Sequence, residues 1–430
     1  MKSFVVGCVA AMCWSTLSMA AEPTSEETED ASAVSESVMG KALPELEEIP
    51  ELEEIPELEQ VSETLTYEEY KNRPYDNRAY RGAEMLDMDP AFVHGIQVGI
   101  EKVYYRDYSG ARAHFKELEA SYPGTAIAPV ADTLIWQAIM LENFDFSKED
   151  QYWKSTERAS EALESALKRE GNQAIEHFLM AGIQGVESIH LMRKFQFIPA
   201  LQRAFSAMGN IEACRETAPD FVDLKFADGM YHYWRSAVTM GSKYLPDFGD
   251  YRTQGIQEMM EVETGGVLLN APATLSLAFV WHEEGNLKKA LASCARNRKA
   301  YPDNIINNLV TGSTYTFLRK YDSAIGVFNE ILEVDPNNRR VHYWLGLANH
   351  RSGKLDTAMT SYRTYLNFKT LEESHRAQTY YRIGQIHMRK KAYPEAYASY
   401  REASKINGHK GAKKSLDRMK DRKKKGEIDY

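Results

Sequence analysis

Along most of this chain apolar residues return every three or four positions, with polar residues between them, which is the spacing of helices that bury one face. Small residues return just as regularly. Residues 271–304, 305–338, 339–376 and 377–410 align as copies of one unit, 34, 34, 38 and 34 residues long. Position 8 of these copies holds Ala278, Gly312, Gly346 and Gly384, and position 20 holds Ala290, Ala324, Ala358 and Ala396. Nothing larger than a methyl stands at either place, so each copy is predicted to be two antiparallel helices that cross closely there. Position 24 is Cys294, Phe328, Tyr362 and Tyr400, and Pro302 and Pro336 end the second helix at position 32.

Eight such units tile residues 92–410 without a gap. The first, 92–125, has the same spacing, with Gly99, Ala111, Phe115 and Pro123 at positions 8, 20, 24 and 32. The next three, 126–173, 174–221 and 222–270, are 48, 48 and 49 residues long. Their small-residue pairs, Thr133 with Ala159, Ala181 with Ala207 and Gly229 with Gly255, are 26 residues apart. The excess falls inside the hairpin, so three neighbouring hairpins are expected to project about two helical turns beyond the others. Their tips are aromatic: Phe144 and Phe146; Phe195 and Phe197; Tyr244, Phe248 and Tyr251. Two readings stand for these rings. They pack adjacent long hairpins together, or they line a ledge for a ligand or partner.

The repeat resembles the tetratricopeptide repeat (TPR) family. That resemblance implies an all-α fold, a right-handed superhelical solenoid of helical hairpins with the three central hairpins extended, whose concave groove binds a protein or peptide. It also implies which residues line the groove, namely those at positions 2, 5, 9, 12 and 13 of each first helix. In the last three repeats these include Leu309, Phe317, Arg340, Tyr343, His350, Arg351, Tyr381, Gln385 and Arg389, a mixed aromatic and cationic surface. Leu309 and Ser313 stand where TPR co-chaperones of the cytosol carry the Lys and Asn that clamp a terminal carboxylate. Ala111-x3-Phe115-x6-Tyr122-Pro123, followed by 126–131, is similar to TPR proteins of the Gram-negative envelope.

Outside the repeats the chain changes character. Lys2, the apolar run from Phe4 to Leu17 and the small-x-small Ser18-Met19-Ala20 read as a signal peptide over residues 1–20, hence a periplasmic or secreted protein. A lipid anchor at Cys8 fits less well, because too few apolar residues precede it. Residues 21–63 read as an acidic disordered linker, since 22–63 holds fifteen acidic residues and one basic, with Pro-Glu-Leu-Glu-Glu-Ile at Pro44 and Pro50 and a variant at Pro56. A lead-in, 64–91, precedes the repeats. Residues 411–430 read as a basic capping helix or tail available to anionic surfaces, and too short and poor in aromatics for nucleic acid.

No catalytic pattern emerges. His282-Glu283-Glu284 lacks the second histidine of a zinc protease helix, no cysteine pair has zinc spacing, and there is no glycine-rich phosphate loop. His232, between Tyr231 and Tyr233, reads as a core histidine. Cys214 and Cys294 fall at packing positions a whole repeat apart, too far for a disulfide. The expectation is a non-enzymatic scaffold without cofactor or metal that binds a protein or peptide of the cell envelope. The alternative is a lipid- or glycan-binding protein using the aromatic tips, and a third reading is a structural spacer.

Overall fold

The computed structural model describes residues 75–194, 196–240, 249–371 and 373–430. The signal peptide, the acidic linker, Phe195, Tyr244 and Phe248 lie outside the described residues, as does the side chain of Phe197. The described chain is all α-helix apart from its turns and one 3-10 turn at Phe146–Lys148. It forms two compact units, one of residues 75–141 and 148–310, the other of 142–147 and 311–430.

The first unit begins with α1 (Asn77–Leu86), α2 (Pro90–Tyr104), α3 (Tyr108–Ser121) and α4 (Ile127–Asn143). It continues with α5 (Glu149–Ala166), α6 (Ala174–Arg193), α7 (Phe197–Thr217), α8 (Leu224–Thr239), α9 (Arg252–Gly265), α10 (Asn270–Glu283), α11 (Leu287–Ala300) and the start of α12 (Ile305–Phe317). Asp76, Asp89, Asp107 and Asn286 cap α1, α2, α3 and α11 by accepting a first-turn N–H. Consecutive helices pair as antiparallel hairpins: α2 with α3, α6 with α7, α8 with α9, α10 with α11. The first two long hairpins have helices of 17 to 21 residues. The third does not lengthen its helices in this way. Its α8 and α9 have 16 and 14 residues, so its excess falls between them.

In the third long hairpin the crossing is backbone on backbone: a Cβ built on Gly255 would lie 2.5 Å from the Gly229 carbonyl oxygen. Cys214 and Cys294 are buried free thiols.

Sequence-distant parts of the first unit also touch, which nearest-neighbour stacking does not predict. Tyr301 donates to the Glu101 carboxylate at 2.7 Å, and the Tyr301 ring meets those of Tyr104 and Tyr105 at 4.9 and 5.2 Å. Gln97 Nε2 donates to the Val267 carbonyl at 3.0 Å, and Val267 and Leu268 share a core with Phe92 and Val93. The 267–269 loop is held by Asp223, fully buried, whose carboxylate accepts the N–H groups of Val267, Leu268 and Leu269 at 2.6 to 2.8 Å. The first unit thus has its early helices packed on its late ones.

The second unit holds the rest of α12, then α13 (Tyr321–Val334), α14 (Arg339–Arg351), α15 (Leu355–Leu366), α16 (Glu373–Arg389), α17 (Tyr393–Asn407) and α18 (Lys410–Lys424). Its hairpins cross where the sequence places the small residues, and the glycine faces a ring. A Cβ on Gly346 would lie 2.5 Å from Tyr362, and one on Gly384 2.6 Å from Tyr400. Position 8 is small because position 24 is aromatic. The last helix, α18, turns Ala412 and Met419 into a cluster with Tyr381, Tyr400 and Ala403, while Lys413, Lys414 and Arg418 stay exposed.

The turn within each short hairpin has a feature that the sequence alone does not display. Residue 15 of the repeat is left-handed in five copies: Arg106, Gly285, Arg319, Gly353 and Lys391, with φ from 58° to 83°. Around four of them the next N–H bonds back five residues, as from Lys354 to the Asn349 carbonyl and from Ala392 to that of His387. This closes the first helix and starts the second within three residues. Only two copies use glycine, the residue that takes this conformation without strain. Lys391→Gly, at an exposed site, should therefore raise stability by up to about 1 kcal/mol and Gly353→Ala lower it by about as much. Thermal melts of the two variants check this, and shifts of the same sign would contradict it. Gly346→Ala should cost roughly 1 to 3 kcal/mol, because Tyr362 must move. A urea melt that leaves the midpoint in place would contradict that crossing.

Candidate interaction site

Pro336 stops α13, and Asn338 starts α14 by accepting the Val341 N–H. Around this helix start the second unit holds the six residues Glu142 to Ser147. The Arg339 N–H, one of the first-turn donors a helix leaves unpaired, donates to Asn143 Oδ1 at 2.8 Å. Asn338 Nδ2 donates in return to the Glu142 carbonyl at 3.1 Å. Phe144 is 6% exposed. Its ring lies parallel to His375 of α16 at 6.1 Å, with the Arg340 guanidinium 3.9 Å from its centroid. Asp145 pairs with Arg339 at 2.9 Å, and Arg339 also donates to Thr370 Oγ1 at 2.8 Å.

Burial pushes the Asp145 carboxyl up, but the Ser147 N–H and hydroxyl, the Arg339 charge and Thr370 outweigh it, and its pKa ends below the usual value. The ionised form is the one held. Phe144 has φ 52°, a left-handed conformation that costs a bulky residue on the order of 1 to 2 kcal/mol. The surrounding contacts must supply that.

The nine groove residues separate by burial. Tyr343 is 1% exposed, between the rings of Tyr362, Tyr365 and His375. Tyr381 is covered by Tyr400 and by His409 at the start of α18. Leu309 is buried in the first unit, and His350 is 4% exposed against Tyr362. These four are interior packing residues, a correction to their expected place on the groove surface. Phase identifies the helix face, but neighbouring helices decide how deeply each position sinks. Phe317, Arg340, Arg351 and Gln385 remain partly exposed and Arg389 exposed. Arg351 lies over Phe317 at 5.3 Å, and Arg382 Nη1 donates to Gln385 Oε1 at 3.3 Å.

Residues 310–373 and 377–409 match two models described as tetratricopeptide repeat. Tetratricopeptide repeats lie within residues 310–409. No curated protein matches it. Among solved structures it is similar to a tetratricopeptide repeat protein from Parabacteroides merdae, at 13% identity over 65% of this chain and 96% of that one, TM-score 0.39. It is similar to human IFIT1 with m7Gppp-AAAA, at 13% identity over 81% and 86%, TM-score 0.46. It is also similar to MamA of AMB-1, at 22% identity over 36% and 88%, TM-score 0.30. At such scores these likenesses say nothing of what this chain binds.

The aromatic tips do not form one described surface. Phe144 is buried in the second unit beside Phe146, which is partly exposed, and Tyr251, exposed, belongs to the first unit, where Arg235 lies 4.8 Å from its ring centroid. The first unit has a cleft of about 500 Å³ bordered by Arg215, Lys225, Asp228, Glu258 and Glu261. Its charges answer one another: Arg215 with Asp228 at 2.9 Å and Lys225 with Glu261. His232, partly exposed with Nδ1 2.7 Å from Glu258 Oε2, is not a core histidine. Arg252, 2% exposed, is satisfied by Asp250 and Glu284. Among the described residues no three His, Cys, Asp or Glu side chains gather as a metal site, and no helix is long and apolar enough to cross a membrane.

Burial, reinforced by Arg382, Arg389 and Arg351, lowers the His350 pKa to about 3, and its Nε2 is buried without a hydrogen-bond partner. The unfolded chain binds a proton there below about pH 6.5, while the folded chain stays neutral. The stabilisation is therefore complete above that pH and is lost as pH falls toward 3, at up to roughly 1.4 kcal/mol per pH unit. His350→Gln should flatten the acid side of the stability profile by about one proton. Urea midpoints at pH 4 to 7 check this, and parallel profiles for wild type and variant would contradict it.

Proposed function

We propose that this protein is an exported, non-enzymatic scaffold of the cell envelope that holds a protein or peptide on the second unit. Tetratricopeptide repeats are in general scaffolds for protein interaction, and the finer reading adds the address and the face. The observation that carries it is the partly exposed stripe on successive first helices, Phe317 with Arg351 across it, then Gln385 and Arg389. The stripe offers a flat ring and guanidinium groups in a row. It suits an extended segment carrying carboxylates and apolar side chains, since Arg grips a carboxylate by two parallel N–H bonds. The first twenty residues support the exported address.

Affinity capture from envelope extract on the mature chain identifies the partner, and titration calorimetry measures it. Arg351→Ala with Arg389→Ala should weaken binding by about 2 kcal/mol or more, the scale of arginine hot spots, while circular dichroism stays unchanged. A partner that binds the double variant as tightly as wild type would remove the stripe from the mechanism. A small molecule found by native mass spectrometry, with no protein recovered, would favour the ligand-binding reading.

A further inference from the structure

We infer that the seat filled by residues 142–147 is a recognition site for a partner turn of the type Asn-aromatic-Asp, and that this segment is its resident competitor. The inference rests on the scaffold reading above and names the motif such a partner carries. Each feature of the occupant is read by a different group. The Arg339 N–H takes the Asn143 amide oxygen, and the Asn337 carbonyl faces its amide nitrogen at 3.5 Å. Arg340 and the His375 ring enclose Phe144. Arg339, side chain 9% exposed, pairs with the Asp145 carboxylate, and Asn338 takes the main-chain carbonyl before the motif.

This seat reads an amide, a ring and a carboxylate in three consecutive residues, as a site for a short motif does. The left-handed Phe144 fits a segment held by its surroundings rather than by its own preference. A covalently attached occupant competes at an effective concentration on the order of millimolar, so a partner turn making the same contacts meets a closed site until the segment leaves.

The test uses the full chain and a fluorescein-labelled synthetic peptide spanning residues 139–150, followed by anisotropy. Asn143→Ala, Phe144→Ala and Asp145→Ala together should bind the peptide about 30-fold or more tighter than wild type does. Adding Arg339→Ala, or replacing the peptide's aspartate by alanine, should remove the gain. Circular dichroism reports whether the triple variant is folded. If it is not, Asp145→Ala alone decides, with a gain of about tenfold expected from loss of one charged contact. Equal binding to wild type and to the folded variant overturns the inference. An envelope partner that needs Arg351 and Arg389 but ignores the seat variants also overturns it, and leaves the scaffold reading standing. A seat that takes the peptide when capture recovers no partner does the reverse.

Discussion

The approach of a glycine on one helix to the aromatic ring opposite it on the next is the constraint on which the hairpins at Gly99, Gly312, Gly346 and Gly384 depend. At Gly346 and Gly384 there is no room for even a methyl beside Tyr362 and Tyr400. The ring fills the space that a side chain would take on the other helix, so the pair buries an aromatic face while the helices stay close. Where position 24 is Cys294, the partner is Ala278 and the same space is shared differently. At Gly229 and Gly255 both side chains are absent and backbone meets backbone. One geometric requirement is met by three side-chain solutions.

With hairpin geometry set locally, the first unit is held by polar groups that link distant repeats. Tyr301 on Glu101 and Gln97 on the Val267 carbonyl make those links, and Asp223 fixes the 267–269 loop that Gln97 meets. Losing one partner would strand the other away from water, at roughly 1 to 3 kcal/mol. Such contacts choose which surfaces meet, whereas apolar stacking alone tolerates sliding. Some ionisable groups are buried in the first unit on the same terms. Arg252, Glu284 and Tyr233 satisfy one another, and a satisfied cluster has a structural task.

In the second unit the same physics surrounds the surface proposed for recognition. Its first helices expose guanidinium groups and a ring on one side, and the start of α14 holds a segment from elsewhere in the chain. Both use arginine beside aromatic rings, and both proposals call for a partner bearing carboxylates. His350, held neutral by burial and by Arg382, Arg389 and Arg351, adds no charge of its own beside these arginines.

Legibility follows the range of the interaction. The repeat, its crossing residues, the first two long hairpins and the burial of both cysteines were readable, because position within a 34-residue unit determines which side of a helix faces its neighbour. The left-handed turns were half readable, signalled by Gly285 and Gly353 but hidden at Arg106, Arg319 and Lys391, where neighbouring hydrogen bonds impose what the residue disfavours. For the site, phase singled out Phe317, Arg340, Arg351, Gln385 and Arg389, and also Tyr343, Tyr381, His350 and Leu309, which sink into the interior. Phe144 was noticed for its aromatic ring, yet nothing local says that Arg340 and His375 enclose it. The sequence by itself determined the helices, their pairing and the repeat, since these depend on residues a few turns apart. Which distant repeats touch, how deep a face lies and what fills the start of α14 were decided only by the tertiary structure, because those contacts join groups some two hundred residues apart in the chain.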